Sequence, residues 1–309
     1  MHVIDFRYHL VSLVAIFLAL ALGIVIGSAA LNGQVSALTT LRGALETNAK
    51  DLRSQVVDDA AFAASVTATL VKGALRGERV LLVTTPDTPG SLVSAIKPVL
   101  VQAGAAMTGQ LMLRPELADP ARTNALQDLV VSVAPAGITL PGGAAVAQAA
   151  VELAAALLGP PGAPGLSAAA AEKVLGGFAE LKAVELSRPS GPAQQATLAV
   201  FLIQPAGNPK DASQRALTAT VLRVASAMDD RSEGVVVAGP ADALGDGGIL
   251  TALRADSGLS ARVSSVDGAD SPVGRILSVL ALQEQAQGGS GRYGGGPGAS
   301  VAVPSPSPR

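Results

Sequence analysis

Residues 10–31, LVSLVAIFLALALGIVIGSAAL, run for 22 positions without a charge, and no other feature of the chain restricts its fold as tightly. As an α-helix rising 1.5 Å per residue, the run covers roughly 33 Å, the thickness of a bilayer's hydrocarbon core. It exceeds the roughly 7–15 apolar residues of a secretory signal, so an uncleaved transmembrane helix is the expectation. Ser28-Ala29-Ala30 could pass for a signal-peptidase site and keeps a cleaved leader as the competing reading. Arg7 and the terminal amine, set against Asp5, favour a single pass through a cell membrane with the flank 1–9 inside and the large domain outside. Ala15, Ala19, Gly23 and Gly27 recur every four residues. On a helix they form a small-residue face that a second helix can approach closely, unless the spacing is chance in an alanine-rich chain.

After Asn32-Gly33, a stalk over 34–76 is expected. Val35, Leu38, Leu45, Ala49, Leu52 and Val56 follow a 3.5-residue repeat, with Leu38, Leu45 and Leu52 at d positions, which is the pattern of a coiled coil. Arg42 falls at a and Asp59 at d, and the later set Phe62, Val66 and Leu70 needs a shift of phase. The other reading is an amphipathic helix packed on its own domain. A homo-oligomer held together through both the membrane helix and the stalk fits the two patterns.

Residues 77–287 read as an α/β domain. Strand-like runs fall at 79–85, 107–113, 183–186, 197–204, 234–238 and 262–266, and helical stretches at 92–100, 212–228, 248–254 and 272–285. Thr88 and Ser91 are each candidate caps for the first of these helices. Alternating strands and helices predict a three-layer, Rossmann-like sheet, either undivided or as two related halves separated by the Pro/Gly-rich break at 159–165. The segment 288–309 has too little apolar content to pack and is expected to be disordered.

The chain has 309 residues, a formal net charge of −2, two histidines and no cysteine. Without a basic patch, nucleic acid is not an expected partner. Without cysteine there is no disulfide framework and no thiolate site. His2 and His9 both precede the apolar run, and Met107, Met112 and Met228 form no cluster, so no resident cofactor or metal ligand set can be named. Asp58-Asp59 and Asp229-Asp230 read as solvated acidic pairs near helix ends. Gly289-Ser290-Gly291-Arg292-Tyr293-Gly294 matches GxGxxG in letters, but it lies in the glycine-rich end without a helix after it. No phosphate loop, HExxH or GxSxG is present, and an enzyme is not expected. In a doubly wound sheet, ligands sit beyond the carboxyl ends of the strands. That rule singles out Thr84, Thr85 and Asp87 after the first strand and Gly239 and Asp242 after a later one, with ordinary βα turns as the alternative.

Two segments, FRYHLVSLVAIFLALALGIVIG at 6–27 and SSVDGADSPVGRILSVLALQEQ at 264–285, together with Arg292-Tyr293-Gly294, resemble the actinobacterial MctB family, the mycobacterial copper transport protein B group. The resemblance implies a membrane protein of copper export or homeostasis, with copper as a transported ion. It also implies an outer-membrane location, described for the family's namesake as a channel. A single apolar helix instead suits an inner membrane, since outer-membrane channels are closed barrels. Two further readings stay open beside the copper role: a non-catalytic envelope scaffold or binding module that displays an α/β domain on a coiled-coil dimer, and an unrecognised α/β enzyme.

Overall fold

The computed structural model describes residues 6–159, 165–190, 194–300 and 303–304; the side chains of residues 6–12 and 26–40 lie outside that description. The chain divides into two compact units, Met1–Ala61 and Phe62–Arg309.

One helix, α1 (Phe6–Val71), runs unbroken through Asn32-Gly33, the two residues between the expected anchor and stalk, and it stops at Val71 rather than at residue 76. A lone glycine costs a helix only about 1 kcal/mol relative to alanine, and this stretch holds no proline. The chain leaves the helix at Gly73 and Gly77, whose φ values of 75° and 90° suit glycine. Ala15, Ala19 and Gly23 are helical and exposed, whereas the side-chain surroundings of position 27 lie outside the described residues. Within the 22-residue apolar run, side chains are described only for positions 13–25. Among the described residues, no helix is long and apolar enough to cross a membrane.

The second unit holds strands β1 (Arg79–Thr84), β2 (Ala106–Leu113), β3 (Val184–Ser187), β4 (Leu198–Leu202), β5 (Gly234–Ala238), β6 (Ser264–Val266) and β7 (Arg292–Tyr293). They form one seven-stranded sheet in the order β3-β2-β1-β4-β5-β6-β7. All neighbours pair in parallel except β2 and β3. The helices are α2 (Gly90–Gln102), α3 (Thr123–Val133), α4 (Ala145–Leu157), α5 (Ala168–Glu180), α6 (Ala212–Asp229), α7 (Ile249–Ala255), α8 (Ser257–Ser260) and α9 (Pro272–Gln285). Several begin where a side-chain oxygen takes a free backbone N–H: Asp211 accepts from Ser213 before α6, and Ser271 accepts from Gly274 before α9. Helix α2 departs from the expected capping, because Pro89 holds the cap position and makes no side-chain bond there.

Alternation along the central strands builds two cores. Leu81, Val83, Ala199, Phe201, Val235 and Val237 face the layer containing α3, α4, α5, α6 and α7. Val80, Leu82, Val200 and Val236 face the opposite layer, which contains α2, α9, Val71 and Leu75. The three-layer α/β arrangement is therefore present. The Pro/Gly-rich break does not divide it, because Leu158 just before the break bridges to Ala196 beside β4, and residues 160–164 lie outside the described residues. The sequence of the chain does pass from one flank of the sheet to the other, but both flanks share the β1–β4 pairing.

The expectation of disorder after residue 287 is corrected for residues 288–300. Tyr293 is 2% exposed, and β7 adds to the edge of β6. A buried ion pair holds this clasp: Arg254 Nη2 donates to Asp267 Oδ2 at 2.8 Å and to the Tyr293 carbonyl at 2.9 Å, while Nη1 donates to the Pro297 carbonyl. Asp267 Oδ1 accepts the N–H groups of Gly295 and Gly296 at 3.0 and 3.2 Å. Gly294, at φ 121°, lies so close that a Cβ there would sit 2.3 Å from the Asp267 carboxyl. Low apolar content gave no hint of this because the attachment runs through backbone groups, one ion pair and a single large buried side chain, Tyr293. Asp267→Ala leaves the Arg254 guanidinium buried and unpaired, which costs about 3–5 kcal/mol. Denaturant melts should show that loss, and limited proteolysis should show early cleavage within residues 288–300.

Candidate functional site

The strand order reverses direction between β1 and β4, so the carboxyl ends of these strands form the crevice of a doubly wound sheet. Thr84 and Thr85 both lie there at 2% exposure, and their hydroxyls are already engaged. Thr84 Oγ1 accepts from Gln110 Nε2 at 3.3 Å, and Gln110 Oε1 takes Lys97 Nζ at 2.8 Å. Thr85 Oγ1 donates to Gln204 Oε1 at 2.5 Å. Thr88 Oγ1 accepts the Thr85 N–H at 3.0 Å and donates to the Leu202 carbonyl at 2.8 Å. The β1 turn is thus stitched to β4 by side chains, and Thr88 serves that bond rather than capping α2.

Gln204, 5% exposed, keeps its Nε2 buried and without a partner among the described residues. Thr85→Val removes the one bond its amide makes and costs about 1–3 kcal/mol. The double variant Thr85→Val/Gln204→Leu replaces both polar partners with apolar groups and recovers most of that loss. Thermal unfolding of the four members of this cycle measures the coupling.

The other expected residues part company. Asp87 is exposed and borders a cavity of about 670 Å³ with Glu116, Asp119, Arg122, Asp211 and Gln214. Asp242 borders a separate cavity of about 400 Å³ with Ser91, Asp270 and the prolines Pro89, Pro205 and Pro240. Gly239 is a packing position: a Cβ there would come within 2.8 Å of Ile203 and 2.9 Å of Ala243. The charged residues that line both cavities are mainly acidic. In the larger one, Asp119 and Glu116 have only distant arginine partners, at 3.9 Å from Arg122 and 3.8 Å from Arg114; no basic residue lines the smaller one. Their field favours cations over anions. Among the described residues, no group of three or more His, Cys, Asp or Glu side chains comes together to hold a metal ion.

Sequence reasoning missed Gln204, Asp270, Glu116 and Asp211. A signal existed for Gln204, a polar residue that closes an otherwise apolar run. None existed for the others, which the return of distant loops places beside one another. The pair Asp229-Asp230, read as solvated, instead binds Arg262 at 2.5 and 2.7 Å. Burial pushes the Asp229 carboxyl up, and the Arg262 charge opposes that shift.

A second titratable feature lies away from the crevice. Glu152 on α4 is fully buried, and both carboxyl oxygens lack a partner among the described residues. Burial raises its pKa from an ordinary 4.5 to about 7, with the charge of Lys173 pulling the other way. Below pH 4.5 the group is protonated in folded and unfolded chains alike, and stability is undiminished. As pH rises through about 7, the buried group must ionise, and folding loses stability on the order of 3 kcal/mol. Glu152→Gln should remove this decline, so that the variant has the higher denaturant midpoint at pH 8 and a midpoint close to that of the parent at pH 4.

Strand order, reversal at β1 and β4, and acidic strand ends define a doubly wound α/β protein that carries a long N-terminal helix. The chain belongs to the family described as "Copper transport outer membrane protein, MctB", which matches residues 3–304. It is 30% identical to "Copper transporter MctB" of Mycobacterium leprae over 332 residues, covering 97% of this chain and 99% of the relative. The protein of the same name in Mycobacterium tuberculosis H37Rv is 30% identical over 315 residues, with the same coverage of both chains.

Proposed function

We propose that this protein acts in copper transport or homeostasis, with copper as cargo rather than as a resident cofactor. The observation that carries the reading is the end-to-end match to relatives named copper transporters, which spans 97% of this chain and 99% of theirs. Nothing in those names describes an enzyme, in keeping with the lack of a catalytic motif.

In the finer form of the proposal, residues 10–31 anchor the chain by a single pass, and residues 34–56 pair with a second copy. The α/β domain then stands outside a cell membrane. The uncharged run supports the anchor, and the exposed leucines of α1 support the pairing. The acidic strand-end cavities favour a second reading, a binding module that presents a cation-attracting surface to a basic partner in the envelope.

Intracellular copper in a deletion strain, compared with its complemented parent across a range of external copper, separates these readings. Copper accumulation in the deletion strain, reversed by the intact chain, is the expected result. Equal copper in both strains at every external level would remove the transport role and leave the binding module.

A further inference from the structure

Between positions 41 and 59, every side chain of α1 is exposed. Leu45, Leu52 and Val56 are 60%, 61% and 66% exposed, and a helix with an apolar stripe draws most of its stability from a surface that covers it. The stripe keeps the 3.5-residue period of a two-stranded seam, and that period identifies the cover as another helix of the same kind. At Ala63, Thr67 and Val71 the helix is buried in its own domain, so a seam with a second copy ends before them. Asp59 at a d position, facing its own counterpart in a symmetric pair, marks the same limit.

One position inside the seam breaks the apolar rule. Arg42 sits at an a position, where two unpaired guanidinium groups would face each other across a parallel pair. Each is neutralised within its own chain, because Arg42 Nε donates to Glu46 Oε1 at 2.8 Å one turn on, at the flanking e position. Leu41, 58% exposed, occupies the preceding g position. In a parallel pair, g residues lie across the a and e positions of the neighbouring helix, so the partner's Leu41 covers the alkyl stem of Arg42 and the arginine–glutamate pair.

We propose that Arg42, Glu46 and Leu41 form a charged layer in the seam that sets a parallel, in-register pair of two chains. The proposal rests on the pairing of two copies described above and adds what fixes their register and number. A polar a position costs association strength, and slipped or higher-order assemblies are disfavoured because they would bury the charge without its matched layer. Lipid or an unrelated helix as occupant would produce no such symmetric layer.

The absence of native cysteine makes the test direct with full-length protein in detergent micelles. Ala49→Cys at an a position should give disulfide-linked pairs under diamide, and Lys50→Cys on the outer face should not. Light scattering should give a mass of two chains. When A49C and V56C chains are mixed, they should link only to their own kind in the parent. In the R42L background, mixed A49C–V56C links or masses above two chains should appear. Glu46→Gln should weaken pairing about tenfold, equivalent to roughly 1.4 kcal/mol, and R42L/E46Q should restore it. If R42L stays strictly two-chain and in register, the layer has no role and the pairing still stands. A parent mass of three or more chains would overturn the two-chain layer. A parent that stays monomeric and forms no A49C link would overturn the pairing itself, and the layer with it.

Discussion

Every central strand of this fold is buried on both faces, and that requirement organises the second unit. In β4 and β5, all residues from Leu198 to Leu202 and from Gly234 to Ala238 are buried. Parallel strands of this kind survive only where both faces are covered. One cover comes from α3 to α7, and the other is assembled from α2, α9, the last residue of α1 and Leu75 just beyond it. Val71 and Leu75 are fully buried there, so the end of the long helix is a structural part of the domain.

The edge of the sheet is treated with equal economy. A short β6 would expose its free backbone groups, and β7 with its glycine turn covers them, held by Arg254 and Asp267. Asp267, Gly268 and Ser271 belong to the second of the two segments that resemble the MctB family, and Arg292-Tyr293-Gly294 is the other part of the same clasp. These family-like residues are thus explained by packing and hydrogen bonding. The cavities at the strand ends come from different loops, and the charged residues that line them are mainly acidic.

Strands β1 to β6 were legible in the sequence to within a few residues because runs such as VLLV at 80–83 and VVV at 235–237 have few alternatives to a buried strand; β7 was not. Helices α6 and α9 were legible too: the helical stretches read at 212–228 and 272–285 agree with Ala212–Asp229 and Pro272–Gln285 to within one residue. Misjudged positions share a different origin. Residues 288–300 looked disordered because a count of apolar residues does not register backbone pairing. Thr84 and Thr85 looked available to a ligand because their bonds to Gln110 and Gln204 join residues 26 and 119 positions apart.

By itself, then, the sequence determined the apolar run, the heptad stripe, the strand and helix alternation and the family. Each of these is written in spacing or composition over neighbouring residues. Tertiary structure alone decided that one sheet unites both flanks, that the glycine-rich end closes its edge, and that the expected crevice separates into two acidic cavities and a sealed threonine turn. Those outcomes depend on contacts between residues far apart in the chain, where a buried polar group is stable only if folding brings its partner to it.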